Sequence, residues 1–157
     1  MVAREVVQAL RASIVMRDFT DQGAELIASI AQVKHLPAGT PLFVENMLGE
    51  AMYVIADGRV RVSVRAADGR EQTLLLLTAG ESLGEAALLR EGPRLCSATA
   101  ETNLAVVEIT RRDLLALSKS KPQAALKLMM AASELLGSRA RDVSPELKRL
   151  LPRGAPR

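Results

Sequence analysis

The chain has 157 residues, of which 48% are hydrophobic and only 2% aromatic, so we expect one domain with an aliphatic core rather than a disordered chain. Basic residues exceed acidic ones by three, but residues 141–157 alone contain five basic and two acidic side chains, which accounts for the whole excess. The body of the chain is therefore neutral, which argues against a basic nucleic-acid-binding face.

Residues 2–30 have the spacing of helices. Val6, Leu10 and Ile14 follow one another at intervals of four and so share one face of a first helix. A threonine or an aspartate, Thr20 or Asp21, is suited to cap a second helix. The apolar face of that helix would consist of Leu26, Ile27 and Ile30.

Residues 31–110 have the period of strands instead. The segment 59–65 alternates three valines with polar residues and is predicted to be a half-buried antiparallel strand with the valines on one face. Asp57-Gly58 and Asp68-Gly69 flank it and favour tight hairpin turns. Further strands are predicted at 52–55, at 74–77, where four leucines indicate a buried strand, and at 104–109. Many short strands at this spacing predict a β-sandwich or barrel.

The helical period returns over residues 111–141. A short helix is predicted at 113–118, and Pro122 is placed to start a longer one that runs to about Arg141. Residues 142–157 follow as a basic tail in which three prolines break regular structure. The apolar face of the long helix is expected to be Leu126, Met129, Met130 and Leu136.

Residues 80–94 match neither a strand nor a long helix and contain the candidate site. Gly84 lets the backbone approach a ligand closely, and 86–89 can form one helical turn whose free N–H groups face an anion. Arg94 follows a Gly-Pro turn and can clamp the same anion, while Glu85 can accept a hydrogen bond from a ligand hydroxyl. From the residues alone, a surface turn with a Glu85–Arg94 salt bridge explains the pattern equally well.

This segment resembles the phosphate-binding cassette of cyclic nucleotide-binding domains. The family pattern is Phe-Gly-Glu-Leu-Ala-Leu-Leu, a short loop and then Pro-Arg-Ser-Ala-Thr. This chain has Leu83-Gly84-Glu85-Ala86-Ala87-Leu88-Leu89 and then Pro93-Arg94-Leu95-Cys96-Ser97. The similarity covers about residues 14–141 and includes Pro37-Ala38-Gly39, Leu42-Phe43, the segment 52–60 and Asp113-Leu114-Leu115.

The resemblance implies both a fold and a set of ligand contacts. One domain over 1–141 would be mainly β, an antiparallel jelly-roll (double-stranded β-helix) over 31–110 flanked by helices over 2–30 and lid helices over 111–141. Arg94 would bind the exocyclic phosphate oxygens and Glu85 the ribose 2′-hydroxyl. The remaining implied contacts are the backbone of Gly84, Ala86, Ala87, Leu95 and Cys96 around the phosphate, Val62 and Leu74 on the sheet side, and Leu135 and Arg139 in the lid.

Leu95 is the main departure from the family, which has Ser, Ala or Thr there. Since a Thr hydroxyl at this position reaches guanine in the family, Leu95 favours cAMP over cGMP as the ligand. Two alternatives stay open: an interaction module with the same fold and a degenerate pocket, and a receptor for another phosphorylated ligand such as a cyclic dinucleotide. No side chains are placed for proton transfer or nucleophilic attack, so we expect neither an enzyme nor a cofactor.

Single residues limit the cellular setting and the chemistry. Cys96 as the one cysteine excludes an intramolecular disulfide and indicates a cytoplasmic protein, and His35 as the one histidine argues against a metal centre. No apolar run reaches the about 18 residues of a membrane span, and Glu5 interrupts any secretory signal.

The signalling output is expected to pass through other proteins. Many bacterial relatives have a helix-turn-helix domain after the long helix, whereas 16 residues follow Arg141 here, so we expect no direct DNA binding. A regulatory module of this kind would act on a downstream protein partner or by self-association. The alanine-rich stretch 124–132 permits a homodimer through the long helix, and a monomer is the alternative.

Overall fold

The computed structural model describes residues 2–142, with the side chains of residues 4–140. Two helices and a short 3₁₀ turn precede eight strands, one short helix lies between the sixth and seventh strands, and two helices follow the last strand. The helices are α1 (Val2–Arg11), α2 (Asp21–Ala28), α3 (Ala86–Leu89), α4 (Arg111–Ser120) and α5 (Pro122–Asp142), with the 3₁₀ turn at Ile14–Met16. The strands are β1 (Ala31–Leu36), β2 (Pro41–Phe43), β3 (Ala51–Asp57), β4 (Arg59–Arg65), β5 (Glu71–Thr78), β6 (Ser82–Leu83), β7 (Ser97–Ala100) and β8 (Leu104–Thr110).

The strands form two four-stranded antiparallel sheets, in the orders β1-β8-β3-β6 and β2-β7-β4-β5. The predicted fold class, an antiparallel β-roll with flanking helices, is confirmed. Strand β3 shows how the layers pack, because its successive side chains point to opposite faces. Met52 and Val54 belong to the core between the first sheet and the helices, whereas Ala51, Tyr53 and Ile55 belong to the core between the two sheets.

The predicted valine face of β4 is wrong at one end. The register of β4 against β5 shifts between Val62 and Ser63, which is the mark of a β-bulge. As a result Ser63 is buried and Val64 only partly so, although Val60 and Val62 are buried as expected. The Ser63 hydroxyl donates to a Glu71 carboxylate oxygen at 2.7 Å, so the buried hydroxyl has a partner.

The two Asp-Gly turns have different roles. Asp68-Gly69 connects β4 to β5 in one hairpin, as predicted, with Gly69 at φ 83°. Asp57-Gly58 is not a hairpin turn, because β3 and β4 lie in different sheets. Gly58 has φ 90°, and an added Cβ would collide with the Asn103 carbonyl oxygen, so this corner between the sheets requires glycine.

The leucine run forms a strand, but the prediction that it is buried is wrong. Strand β5 lies at the edge of its sheet, and of its four leucines only Leu77 is buried. A strand at the edge of a sheet has a neighbouring strand on one side only, so its side chains are less covered than those of a central strand. The amino-acid composition of a strand does not predict whether it lies at an edge. The exposed fractions of Leu74, Leu75 and Leu76 are 52%, 41% and 54%.

Helices α1, α2 and α5 begin where the sequence predicts, whereas α4 begins two residues earlier than expected, at Arg111. The buried faces differ from the prediction. Thr20 caps α2 by accepting from the Gly23 N–H, and α5 starts at Pro122. Ile14 lies beyond the end of α1, in the 3₁₀ turn, and is exposed. The expected apolar face of α5 is right only in part: Met129 packs against the core and Leu136 is partly buried, whereas Leu126 and Met130 are exposed. The side chains that α5 buries fully are Ala125, Leu128 and Ala132. The basic tail is predicted to begin at residue 142, but that residue is the last of α5, and residues 143–157 lie outside the described residues.

No helix within residues 2–142 is long and apolar enough to cross a membrane.

Candidate ligand-binding site

The candidate site begins where β6 ends, at a backbone turn that requires glycine. Gly84 has φ 77°, and a Cβ there would lie 2.6 Å from Arg94 Nη1. The four-residue helix α3 follows at once, as predicted. Ala86, its first residue, is exposed, and N–H groups in a first helical turn lack partners within the helix. The Ala87 N–H, by contrast, donates to the Gly84 carbonyl oxygen at 3.1 Å.

Arg94 lies against this turn with only 8% of its surface exposed. Nη2 donates to the Ala51 carbonyl oxygen at 2.7 Å, and Nη1 lies 3.4 Å from the Gly84 carbonyl oxygen. Its Nε is buried without a hydrogen-bond partner, and among residues 4–140 no carboxylate forms an ion pair with it. Burial lowers the pKa of the Arg94 guanidinium below its usual value. This part of the site, Arg94 with Ala51 and Gly84, is called the arginine side below.

Glu85 points to a second centre, which is called the carboxylate side and consists of Glu85, Ser82 and Arg139. Glu85 is 1% exposed, and its Oε1 accepts from Ser82 Oγ at 2.6 Å. Its Oε2 lies 2.7 Å from Arg139 Nη1 on α5, and Arg139 Nη2 donates to the Ser82 carbonyl oxygen. The alternative of a Glu85–Arg94 salt bridge is therefore wrong: the arginine that pairs with Glu85 comes from 54 residues away.

Two aromatic residues that the sequence analysis did not assign to the site lie beside Arg94. The guanidinium carbon is 4.1 Å from the centre of the Phe43 ring and 5.9 Å from that of Tyr53. The sequence feature that could have indicated them is the rarity of aromatic residues, because the whole chain contains two phenylalanines, one tyrosine and no tryptophan. The arginine side therefore combines a buried cation, an unpartnered N–H and an aromatic surface, which suits it to an anion.

This arrangement of turn, helix and buried arginine can be compared with known proteins. A profile of the cyclic nucleotide-binding domain matches residues 33–121, more than half of the chain. The chain belongs to the cyclic nucleotide-binding domain family. The family resemblance seen in the cassette residues is thereby confirmed.

Several relatives share this domain. The cyclic AMP receptor protein of Thermus thermophilus is 35% identical over 138 residues, which are 88% of this chain and 62% of that protein. The crystal structure of the Thermus thermophilus catabolite activator protein superposes with a TM-score of 0.77 at 34% identity, over 88% of this chain and 63% of the other. The regulatory domain of Toxoplasma gondii PKA, solved with cAMP, gives a TM-score of 0.65 at 25% identity, over 73% and 44% of the two chains. This chain thus spans 62% of the length of the Thermus thermophilus receptor protein and 54% of a Mycobacterium tuberculosis CRP-like regulator that it also matches.

The cyclic nucleotide-binding domain brings only some of the predicted contact residues together. Gly84 lies against Arg94 and Glu85 pairs with Arg139, and Ala86 and Ala87 follow these two residues directly in the chain. Val62 and Cys96 pack in or against the core between the sheets, and burial raises the pKa of the Cys96 thiol. Leu135 packs against the helical core, Leu74 is half exposed on the edge strand, and Leu95 is 83% exposed. Their contact with a ligand stays a prediction.

Metal binding finds no support in the same region. Residues 4–140 contain no group of three histidine, cysteine or acidic side chains that could hold a metal ion. His35 lies exposed on β1. The domain's candidate chemistry therefore rests on Arg94, Glu85 and Arg139.

Proposed function

We propose that this domain is a regulatory sensor that binds a 3′,5′-cyclic nucleotide through Arg94, with cAMP preferred over cGMP. The observation that supports it is a buried guanidinium that has an unpartnered Nε and no ion pair among residues 4–140. A buried charge without a partner is unfavourable, so such an arginine is suited to a ligand that brings the missing anion. A cyclic phosphate has one negative charge and two exocyclic oxygens, which suit a guanidinium.

Glu85 would accept the ribose 2′-hydroxyl, and this step gives the proposal its switch. In the structure both Glu85 oxygens already accept hydrogen bonds, one from Ser82 and one from Arg139. A ribose hydroxyl would therefore compete with Arg139 for the same carboxylate. Because Arg139 lies on α5, a change in this pair would shift the long helix and the surface that it presents.

The preference for cAMP rests on Leu95 and on the relatives. Leu95 has no hydroxyl to offer to guanine, and it is 83% exposed. The Thermus thermophilus relative is a cyclic AMP receptor protein, and the Toxoplasma gondii PKA domain was crystallised with cAMP. These properties belong to those proteins and support the proposal by similarity.

The test is calorimetric titration of the purified chain with cAMP, cGMP and a cyclic dinucleotide. We expect saturable cAMP binding that Arg94→Met abolishes and that Arg90→Met, an exposed arginine beside the same cassette, leaves unchanged. Hydrogen exchange over residues 111–142 should change at saturating cAMP, and unchanged exchange would reject the helix switch. If only the cyclic dinucleotide binds, it and not cAMP is the ligand. A folded chain that binds none of the three would favour the interaction module with a degenerate pocket.

The remaining parts of the proposal concern setting and partners. We propose a cytoplasmic, non-enzymatic module without a cofactor, whose output reaches a downstream protein partner. Leu126 and Met130, exposed by 59% and 63% on α5, support a homodimer through that helix, which sedimentation of the pure chain would detect. The expectation of no direct DNA binding stays a prediction, since the chain spans only part of its relatives.

A further inference from the structure

Aromatic residues are rare in this chain, and most of them lie around one cation. Of the three aromatic side chains, Phe43 and Tyr53 face Arg94, while Phe19 faces Lys127 at 5.1 Å. Phe43 comes from β2 and Tyr53 from β3, which belong to different sheets. Their ring centres are 6.1 Å apart with an interplanar angle of 27°, so they form one stacked pair. The pair therefore joins the two sheets beside the arginine.

Phe43 makes the closer contact, with the guanidinium carbon 4.1 Å from its ring centre. Gly49 restricts the same guanidinium, because an added Cβ there would lie 3.1 Å from Nε and 3.2 Å from Cζ of Arg94. The carbonyl oxygens of Ala51 and Gly84 accept its hydrogen bonds, and the Tyr53 hydroxyl interacts with its charge. Among the described residues, the guanidinium is thus held by a ring face, a glycine and two carbonyl groups, without a carboxylate.

We propose that Phe43 is a positioning residue for the anion-binding arginine. A ring face attracts a guanidinium, and this attraction strengthens when the cation is shielded from water. The ring would hold Arg94 in its binding position while no anion is present, so that the ligand does not have to order a mobile side chain on binding. A carboxylate in the same place would also hold the arginine, but it would compete with the ligand phosphate. A neutral ring does not compete, which is the chemical advantage of phenylalanine here.

The affinity test rests on the proposed function and compares three variants by calorimetry with cAMP. Phe43→Leu keeps an apolar side chain but removes the ring face, and should weaken binding about ten-fold. Phe43→Tyr keeps the ring face and should bind within about two-fold of the parent chain. Phe19→Leu makes the same change at the ring that faces Lys127, and should leave binding unchanged. Equal weakening by Phe43→Leu and Phe43→Tyr, or no weakening by Phe43→Leu, would overturn the proposal.

A second measurement needs no ligand and separates this inference from the proposed function. The melting temperature is recorded for Phe43→Leu in the parent chain and in an Arg94→Met background. If the ring holds the arginine, Phe43→Leu should lower the melting temperature by about 2–4 °C more in the parent than in that background. Equal shifts would show that Phe43 only fills space and would overturn the proposal even where cAMP binds. If the chain binds no cyclic nucleotide but the two melting-temperature shifts are unequal, the proposed function is rejected, while the stabilising contact between Phe43 and Arg94 is supported.

Discussion

The arginine side and the carboxylate side of the site both bury a charge, but they satisfy it in opposite ways. Arg94 is held by two carbonyl oxygens and an aromatic ring and keeps an unpartnered Nε. Glu85 is more deeply buried, yet both of its carboxylate oxygens already accept hydrogen bonds, one from Ser82 on β6 and one from Arg139 on α5. A ligand would therefore complete one side and disturb the other, which links binding to the position of α5. Each prediction below tests one half of this comparison.

The largest effect is expected at Arg94. Arg94→Met should weaken cAMP binding by about 100-fold or more, or about 3 kcal/mol, because the ligand phosphate would lose its charged partner. The free energy of unfolding of the chain without added nucleotide should change by no more than about 1 kcal/mol. The substitution removes a buried charge that has no ion pair among residues 4–140, which offsets the loss of the Phe43 contact and of the hydrogen bond to the Ala51 carbonyl oxygen. Calorimetry and urea denaturation measure the two quantities. A clear loss of stability would mean that the arginine side is already satisfied without ligand.

The carboxylate side should respond in the opposite way. Arg139→Gln would leave Glu85, which is 1% exposed, without its cationic partner, and should reduce the free energy of unfolding by about 3 kcal/mol. Glu85→Gln should cost less, about 1 kcal/mol, because the Arg139 side chain is 33% exposed and can reach water. Urea denaturation of both variants and of the double variant measures the coupling. Additive losses would show that the pair does not connect α5 to the cassette.

A pH effect is expected from Tyr53, which lies behind Arg94. Burial, helped by nearby Glu108, raises the pKa of Tyr53 to about 12 from its ordinary value of 10.0. Because the folded chain holds this proton more tightly than the unfolded chain does, the resulting stability is present below pH 10 and is lost as the pH rises through 12. The loss should be about 3 kcal/mol, since one pKa unit corresponds to about 1.4 kcal/mol.

Tyr53 is the one tyrosine of the chain, so phenolate absorbance reports its ionisation directly. Tyr53→Phe serves as the control, because it should abolish the part of the loss of stability above pH 10 that comes from ionisation of Tyr53. Arg94→Met should move the absorbance transition to still higher pH, because the nearby guanidinium favours the phenolate. If the absorbance transition is unchanged in Arg94→Met, the Tyr53 phenol and the Arg94 guanidinium do not interact, which would contradict their proximity in the arginine side.

Local sequence signals predict much of the fold, and the errors arise where tertiary packing decides. The Thr20 cap, the Pro122 helix start and the Asp68-Gly69 hairpin depend on neighbouring residues only, and all are found. The exposure of Leu74 follows from the place of β5 at a sheet edge, which depends on distant pairing. The bulge at Ser63 likewise depends on the partner strand.

The site shows the same division between local and distant information. Gly84 and the short helix α3 could be predicted because they are contiguous in the chain. The contact between Phe43 and Arg94 and the pair of Glu85 with Arg139 each join elements far apart in sequence. The family resemblance places Arg139 in the lid, but the structure is needed to find its carboxylate partner, Glu85. Ser82, the second donor to Glu85, gave no signal in the sequence.

The smallest effect is expected at Leu95, and it decides whether the arginine side is open. Since Leu95 is 83% exposed, Leu95→Ser should change the free energy of unfolding by less than about 0.5 kcal/mol. If the side chain leaves the site free, cAMP affinity should stay within about three-fold of the parent chain, which is less than 1 kcal/mol. Calorimetry with the parent and variant chains tests this directly. A gain of about ten-fold or more would mean that Leu95 crowds the nucleotide, and the arginine side would then be a pocket partly closed by substitution rather than one ready for an anion.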